Sequence, residues 1–161
     1  MERVIPLGAV SQGWESGPMA LNFALLGAGR IGKVHARAIT SNPAAKLVAV
    51  ADAAPEAATA LAAHYGATVR DVAAIRDAAD IDAVVICTPT DTHAELIETF
   101  ARASKPIFCE KPIDLDIARV RACLAVVEAS GVPLMVGFNR RFDPHFRAVR
   151  AAIDRGEIGK V

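Results

Sequence analysis

The stretch from Asn22 to Gly32, Asn-Phe-Ala-Leu-Leu-Gly-Ala-Gly-Arg-Ile-Gly, narrows the choice of fold more than any other part of the chain. A short apolar run enters a G-x-G-x-x-G turn and leaves it as a helix. Each glycine has a separate reason to be there. Gly27 makes the tight turn out of the strand, Gly29 lets the backbone approach a pyrophosphate, and Gly32 removes a side chain where helix and sheet pack closely. The helix that starts near Arg30 and Ile31 aims its free N–H groups and the positive end of its dipole at the phosphates. An ordinary glycine-rich strand-to-helix turn satisfies the same pattern, so the surroundings have to decide.

They do so through a second apolar run, Lys46-Leu-Val-Ala-Val-Ala-Asp52, which ends in an acid twenty residues beyond Gly32. That is where the ribose partner of a dinucleotide belongs. A carboxylate there accepts from both adenosine ribose hydroxyls and repels a 2′-phosphate, so the expected cofactor is NAD rather than NADP. The competing reading of Asp52 is a helix N-cap ahead of Pro55. On the ribose reading, Asp52→Ala weakens NAD binding and leaves the fold intact.

From Asn22 onward strands and helices alternate with short turns. Strands are expected at 22–27, 46–51, 67–69, 81–87, 106–110 and 132–136, and helices at 30–41, 55–65, 71–77, 94–103, 114–130 and about 145–155. Such alternation specifies parallel strands joined by right-handed helical crossovers. The fold class is therefore α/β, a Rossmann-type doubly wound parallel sheet in three αβα layers. Residues 20–143 make up the dinucleotide-binding domain, and 144–161 read as a connecting helix and the entry to a further domain. Residues 1–19, with an isolated Trp14 and no clear period, read as a leader that is disordered or untranslated, with Met19 as the alternative start. They lack the charged and apolar regions of a secretory signal.

The 18 basic residues cancel the 18 acidic ones and form no run, which argues against nucleic acid or an anionic membrane as partner. No apolar run reaches the roughly 18 residues that would span a bilayer. Cys87, Cys109 and Cys123 lie in apolar segments without ligand spacing, as buried thiols of a reducing cytosol would, and no metal site is expected.

In a doubly wound sheet the ligand lies along the carboxyl ends of the strands. Beyond the glycine loop and Asp52, three such ends carry unusual chemistry. Thr88-Pro89-Thr90-Asp91-Thr92-His93 interrupts an apolar run, either as a simple turn and cap or as a loop against the ribose and nicotinamide. His93 then falls in the first turn of a helix, where a structural hydrogen bonder is commoner than a base because the dipole disfavours imidazolium. Glu110-Lys111-Pro112 places an ammonium at the rim of the cleft, where it can donate to a substrate oxygen and favour the alkoxide-like charge of hydride transfer. A surface ion pair between Lys111 and Glu110 is the alternative. Arg140 and Arg141 either hold an anion or pair with Asp143.

Gly-Ala-Gly-Arg-Ile-Gly-Lys-Val-His at 27–35, Thr-Pro-Thr-Asp-Thr-His at 88–93, Cys-Glu-Lys-Pro-Ile at 109–113 and Gly-Phe-Asn-Arg-Arg-Phe-Asp-Pro at 137–144 together resemble the glucose-fructose oxidoreductase/inositol dehydrogenase (Gfo/Idh/MocA) family. The last motif tilts the likeness to the inositol branch. The resemblance implies an oxidoreductase that takes a hydride from a secondary alcohol of a cyclic polyol or sugar. Lys111 would be its active-site lysine, Asp52 would select the cofactor, and Gly27, Gly29, Arg30, Ile31 and Gly32 would hold the pyrophosphate. Thr88, Pro89, Thr90, His93, Glu110, Lys111 itself and Arg140 would complete the cofactor site. Family enzymes are about twice this length. Their proton-accepting histidine, and the aspartate that holds it, lie in a second α/β domain that also forms the homo-oligomer interface. On that ground these 161 residues alone are expected to bind NAD with little or no turnover. A non-catalytic NAD sensor and an inactive truncated relic are the alternatives.

Overall fold

The computed structural model describes residues 20–160, so the leader assigned to 1–19, with Trp14 and Met19, lies outside the described residues. The described chain runs β1 (Leu21–Leu26), α1 (Arg30–Thr40), β2 (Ala45–Ala51), α2 (Pro55–Tyr65), β3 (Thr68–Val69), α3 (Val72–Asp77) and β4 (Ala83–Ile86). It continues with α4 (Thr90–Arg102), β5 (Ile107–Cys109), α5 (Ile117–Ser130), β6 (Leu134–Val136), a 3-10 turn (Asn139–Arg141) and α6 (Pro144–Asp154). The six strands form one sheet in the order β3-β2-β1-β4-β5-β6, and every pairing is parallel. The order reverses direction between β1 and β4, which makes that gap the switch point of the sheet.

Apolar side chains leave both faces of the sheet, and each face has its own core. Ala24, Leu26, Val84, Ile86, Ile107 and Cys109 point to the side covered by α3, α4 and α5, where they meet Ile75, Ile97, Phe100 and Cys123. Leu25, Val50 and Val85 point to the other side, against Ala36 of α1 and Ala58, Leu61 and Ala62 of α2. Strict alternation would send Leu47 and Val50 to opposite faces. An irregularity in the β1–β2 register pairs Phe23 with Leu47 and Ala24 with Ala49, skipping Val48, so Leu47 and Val50 share one core. Strands buried on both sides read as apolar runs, and for that reason they were visible in the sequence.

Several boundaries differ from those expected. The strand expected at 81–87 is confined to 83–86, although Ile81 is buried. There Lys105, itself 8% exposed, donates to the carbonyls of Ala78 and Ile81. Helix α4 begins at Thr90, four residues before the expected Ala94, because the N–H groups of a first turn have no intrahelical acceptors to satisfy and Pro89 serves as its N-cap. Helix α5 begins at Ile117 rather than at 114, where Asp116 caps it by accepting from Ala118 N–H at 2.9 Å. No helix among the described residues is long and apolar enough to cross a membrane.

Candidate functional site

At the end of β1 the chain turns through Gly27 at φ +99°. A Cβ on Gly27 would sit 2.5 Å from the Cys87 carbonyl oxygen at the end of β4. Only glycine meets both conditions. A Cβ on Gly32 would lie 1.8 Å from the Gly27 carbonyl oxygen, so the first turn of α1 is pressed against the turn that precedes it, with Leu25 3.7 Å away on the sheet. The missing side chain thus lets the helix pack on the loop first and on the sheet second. A Cβ on Gly29 would meet nothing within 4 Å. Gly29 is the N-cap of α1, no side chain caps that helix, and no acid occupies its first turn. The start of α1 at Gly29 is therefore open to the approach of an anion, toward the N–H groups that begin the helix.

Asp52 ends β2 beside this loop. Its Oδ2 accepts from Ala28 N–H at 2.5 Å and its Oδ1 from Ala54 N–H at 2.8 Å. Ala54, not Asp52, is the N-cap of α2, so the capping alternative does not describe the structure. The same contacts add a structural role for Asp52, because the carboxylate pins the glycine loop to the end of β2, so Asp52→Ala is expected to cost stability as well as NAD affinity. Each oxygen has spent one lone pair on these bonds and keeps another for a ligand.

An open cleft runs across the switch point in two lobes. The first, of about 990 Å³, is bounded by Gly27, Gly29, Asp52, Ala53, Val69 and Arg70. The second, of about 920 Å³, is bounded by Arg30, Ile31, Thr90, Lys111 and Arg140 among others, and Thr88 and Pro89 border both. The structure therefore gathers the residues singled out from the sequence along one groove, except Gly32, which is buried behind it, with Gly27, Gly29 and Thr88-Pro89 at its middle, Asp52 toward one end and Lys111 toward the other.

Residues in the second lobe differ in how far they are already committed. His93 is 2% exposed, with Nδ1 2.7 Å from the carbonyl oxygen of Pro112 and Nε2 2.8 Å from that of Thr88. Both nitrogens face backbone carbonyl oxygens, which only accept, so the neutral ring donates to one of the two and the residue acts as a structural hydrogen bonder. Glu110 does not pair with the Lys111 side chain. Its Oε1 lies 2.8 Å from Nε2 of His35 on α1, and its Oε2 accepts the Lys111 backbone N–H at 3.3 Å. Among the described residues no carboxylate lies within ion-pairing distance of the Lys111 ammonium, which is exposed at the cleft. The Lys111–Pro112 peptide bond is cis. Arg140 lies 3.4 Å from Asp143 and over the Phe146 ring at 4.9 Å, while still bordering the cleft.

Two polar residues at the site were given no role from the sequence. His35 falls within a quoted motif, but its partner lies 75 positions away and nothing local reveals it. Arg70 directly follows β3, so the strand-end rule that selected Asp52 could have found it. Burial pushes the thiols of Cys87 and Cys109 up to about 12, which makes both inert as nucleophiles at neutral pH.

A six-stranded parallel sheet with its glycine turn at the switch point, an uncapped helix start and a carboxylate ending β2 define a dinucleotide-binding Rossmann domain. The residues present fit such a ligand, since the open approach over Gly29 and the free lone pairs of Asp52 lie along one groove. The chain belongs to the oxidoreductase family with an NAD-binding Rossmann fold (Gfo/Idh/MocA), whose model matches residues 21–138, and its cofactor is NAD. It is 71% identical over 143 residues to an inositol 2-dehydrogenase of Rhizobium meliloti (strain 1021), a match that covers 89% of this chain and 43% of the relative. A crystal structure of a myo-inositol dehydrogenase from Corynebacterium glutamicum superposes with a TM-score of 0.79 at 45% identity, covering 88% of this chain and 43% of that one. A scyllo-inositol dehydrogenase from Lactobacillus casei, solved with bound NAD(H) and scyllo-inositol, superposes with a TM-score of 0.81 at 34% identity over the same shares. The chain thus spans less than half the length of the relatives it matches.

Proposed function

We propose that this chain forms the cofactor half of an NAD-dependent dehydrogenase that oxidises a secondary alcohol of a cyclic polyol, with myo-inositol oxidised at its 2-hydroxyl. One observation carries the reading. Glu110 turns its carboxylate to His35, which leaves the Lys111 ammonium at the cleft without a partner among the described residues. An NAD-binding module that only sensed its ligand would have no use for that arrangement. The inositol dehydrogenases to which the chain is similar support the choice of substrate.

In this reading the N–H groups from Gly29 to Gly32 hold the pyrophosphate and Asp52 accepts from the adenosine ribose. Thr88, Pro89 and Thr90 form the wall toward the nicotinamide, with Arg140 at its outer edge. NAD, when bound, supplies the acceptor for the hydride. Lys111 donates a hydrogen bond to the substrate oxygen and favours the negative charge that grows there as the C–H bond breaks. His35 and Glu110 hold the loop that carries Lys111, and His93 holds it from the other side. In this reading the proton acceptor is not among residues 1–161, which taken by themselves bind NAD and turn over poorly. The assembled enzyme is a cytoplasmic homo-oligomer.

The test joins this chain to the remaining C-terminal portion of the Rhizobium meliloti relative and follows NADH formation with myo-inositol. The hybrid should turn over, and Lys111→Ala should lower kcat by about a hundredfold or more while NAD affinity stays within about twofold. Equal loss of turnover and NAD affinity would make Lys111 a cofactor ligand. An inactive hybrid beside an active parent relative would reject the substrate assignment.

A further inference from the structure

The adenosine lobe contains one cation, and that cation is tied back. Among the described residues bordering the lobe, Arg70 is the sole lysine or arginine, facing Asp52, Asp71, Asp91 and Glu95. Its Nε donates to Thr68 Oγ1 at 3.1 Å, its Nη1 to Asp80 Oδ1 at 2.9 Å and its Nη2 to Asp80 Oδ2 at 2.8 Å. The two planar groups thus meet as a fork on a fork. Asp80 is itself fixed from below, because its backbone carbonyl accepts from Nδ2 of Asn22 at the start of β1, 3.0 Å away. Asn22 marks the amino end of the sheet and Thr68 lies one pleat back along β3. The guanidinium head is therefore held toward Thr68 and Asp80, toward the amino end of the sheet, rather than at the carboxyl-end rim where Asp52 stands.

We propose that Asp80 is a specificity determinant for the cofactor, acting with Asp52 by holding Arg70 out of reach of a 2′-phosphate. Asp52 repels that phosphate directly. Asp80 removes the one guanidinium that would attract it and that has the planar donor geometry phosphate prefers. The inference rests on the reading that Asp52 faces the adenosine ribose. The pair is partly solvent-exposed, 27% for the Arg70 side chain and 55% for Asp80, and even a bidentate pair so exposed is only a small part of a domain's stability. Breaking it should therefore free Arg70 without unfolding the chain, particularly as the Asp80 carbonyl keeps its bond to Asn22.

The experiment measures Kd for NAD and NADP by titration calorimetry on the whole 161-residue chain. The variants are Asp52→Ser, Asp52→Ser/Asp80→Ala, and that double variant with Arg70→Gln added. Asp52→Ser should weaken NAD binding. Adding Asp80→Ala should then tighten NADP binding about tenfold, the effect of one new charge-assisted contact at a partly exposed site, and Arg70→Gln should cancel the gain. Asp80→Asn, which keeps the shape and loses the fork, should give a smaller gain in the same direction and guards against a packing artefact. No NADP gain with either Asp80 variant, or a gain that survives Arg70→Gln, would overturn the proposal. Unchanged NAD affinity in Asp52→Ser would instead reject the ribose reading beneath it.

Discussion

Replacing Asp52 by alanine should cost the domain stability as well as cofactor. The carboxylate accepts two backbone N–H groups, from Ala28 at 2.5 Å and Ala54 at 2.8 Å. Hydrogen bonds to charged groups contribute roughly 1.5–3 kcal/mol each. Both donors lie at the rim of an open cleft, where water can stand in for the lost oxygen, so the lower end applies. The local Ala54 bond is the easier of the two to replace. The expected loss for Asp52→Ala is about 2 kcal/mol, read as a drop in the urea midpoint with an unchanged m-value. Asp52→Asn retains one acceptor and turns an NH2 toward the other N–H, so it should lose a similar amount despite being nearly isosteric. NAD affinity should fall at least about tenfold in both, since ribose acceptors and loop geometry go together. A stability within about 0.5 kcal/mol of the parent for both variants would show that the carboxylate does not anchor the glycine loop.

The glycine loop offers a paired contrast. Gly32→Ala places a Cβ 1.8 Å from a backbone oxygen and should cost about 3 kcal/mol or more, whereas Gly29→Ala meets no atom within 4 Å and should leave the urea midpoint alone while weakening NAD binding in calorimetry. A stable Gly32→Ala would mean that the turn can open. Cys87 and Cys109, with thiols pushed up to about 12 by burial, should resist iodoacetamide at pH 8 in the folded chain and react once urea unfolds it. The same shift has a sign in stability. Unfolded thiols lose their protons from about pH 8.5 upward while the folded ones keep theirs, so the stabilising effect is whole below that pH and is lost as pH rises toward 12. Alkaline denaturation that stays flat across this window would contradict it.

Much of the fold was legible because it follows from short-range patterns. Buried parallel strands appear as apolar runs, and Gly66 and Gly131 end α2 and α5 in the left-handed conformation that a sequence reader assigns to them. The start of α4 was hidden because Thr90 to His93 resemble a loop by composition, although a first turn tolerates such residues without side-chain caps. In the site, the strand-end rule brought out Asp52, Thr88, Pro89 and Lys111. It did not show that Asp52 also braces the loop, that Glu110 belongs to His35, or that Arg70 belongs to Asp80. Those facts depend on which side chain meets which across the sheet, and a one-dimensional pattern does not carry that information.

His93 joins two loops that are far apart along the chain, and it does so from a position sealed from solvent. The ring is wedged between the Thr88 and Pro112 carbonyls and donates to one of them, so the two loops are spaced by packing and a single hydrogen bond with no redox chemistry needed to keep them so. A wall braced in this way is in place before any ligand arrives. Association then need not order the residues on either side of the ring, and the conformational entropy that such ordering would cost is spared.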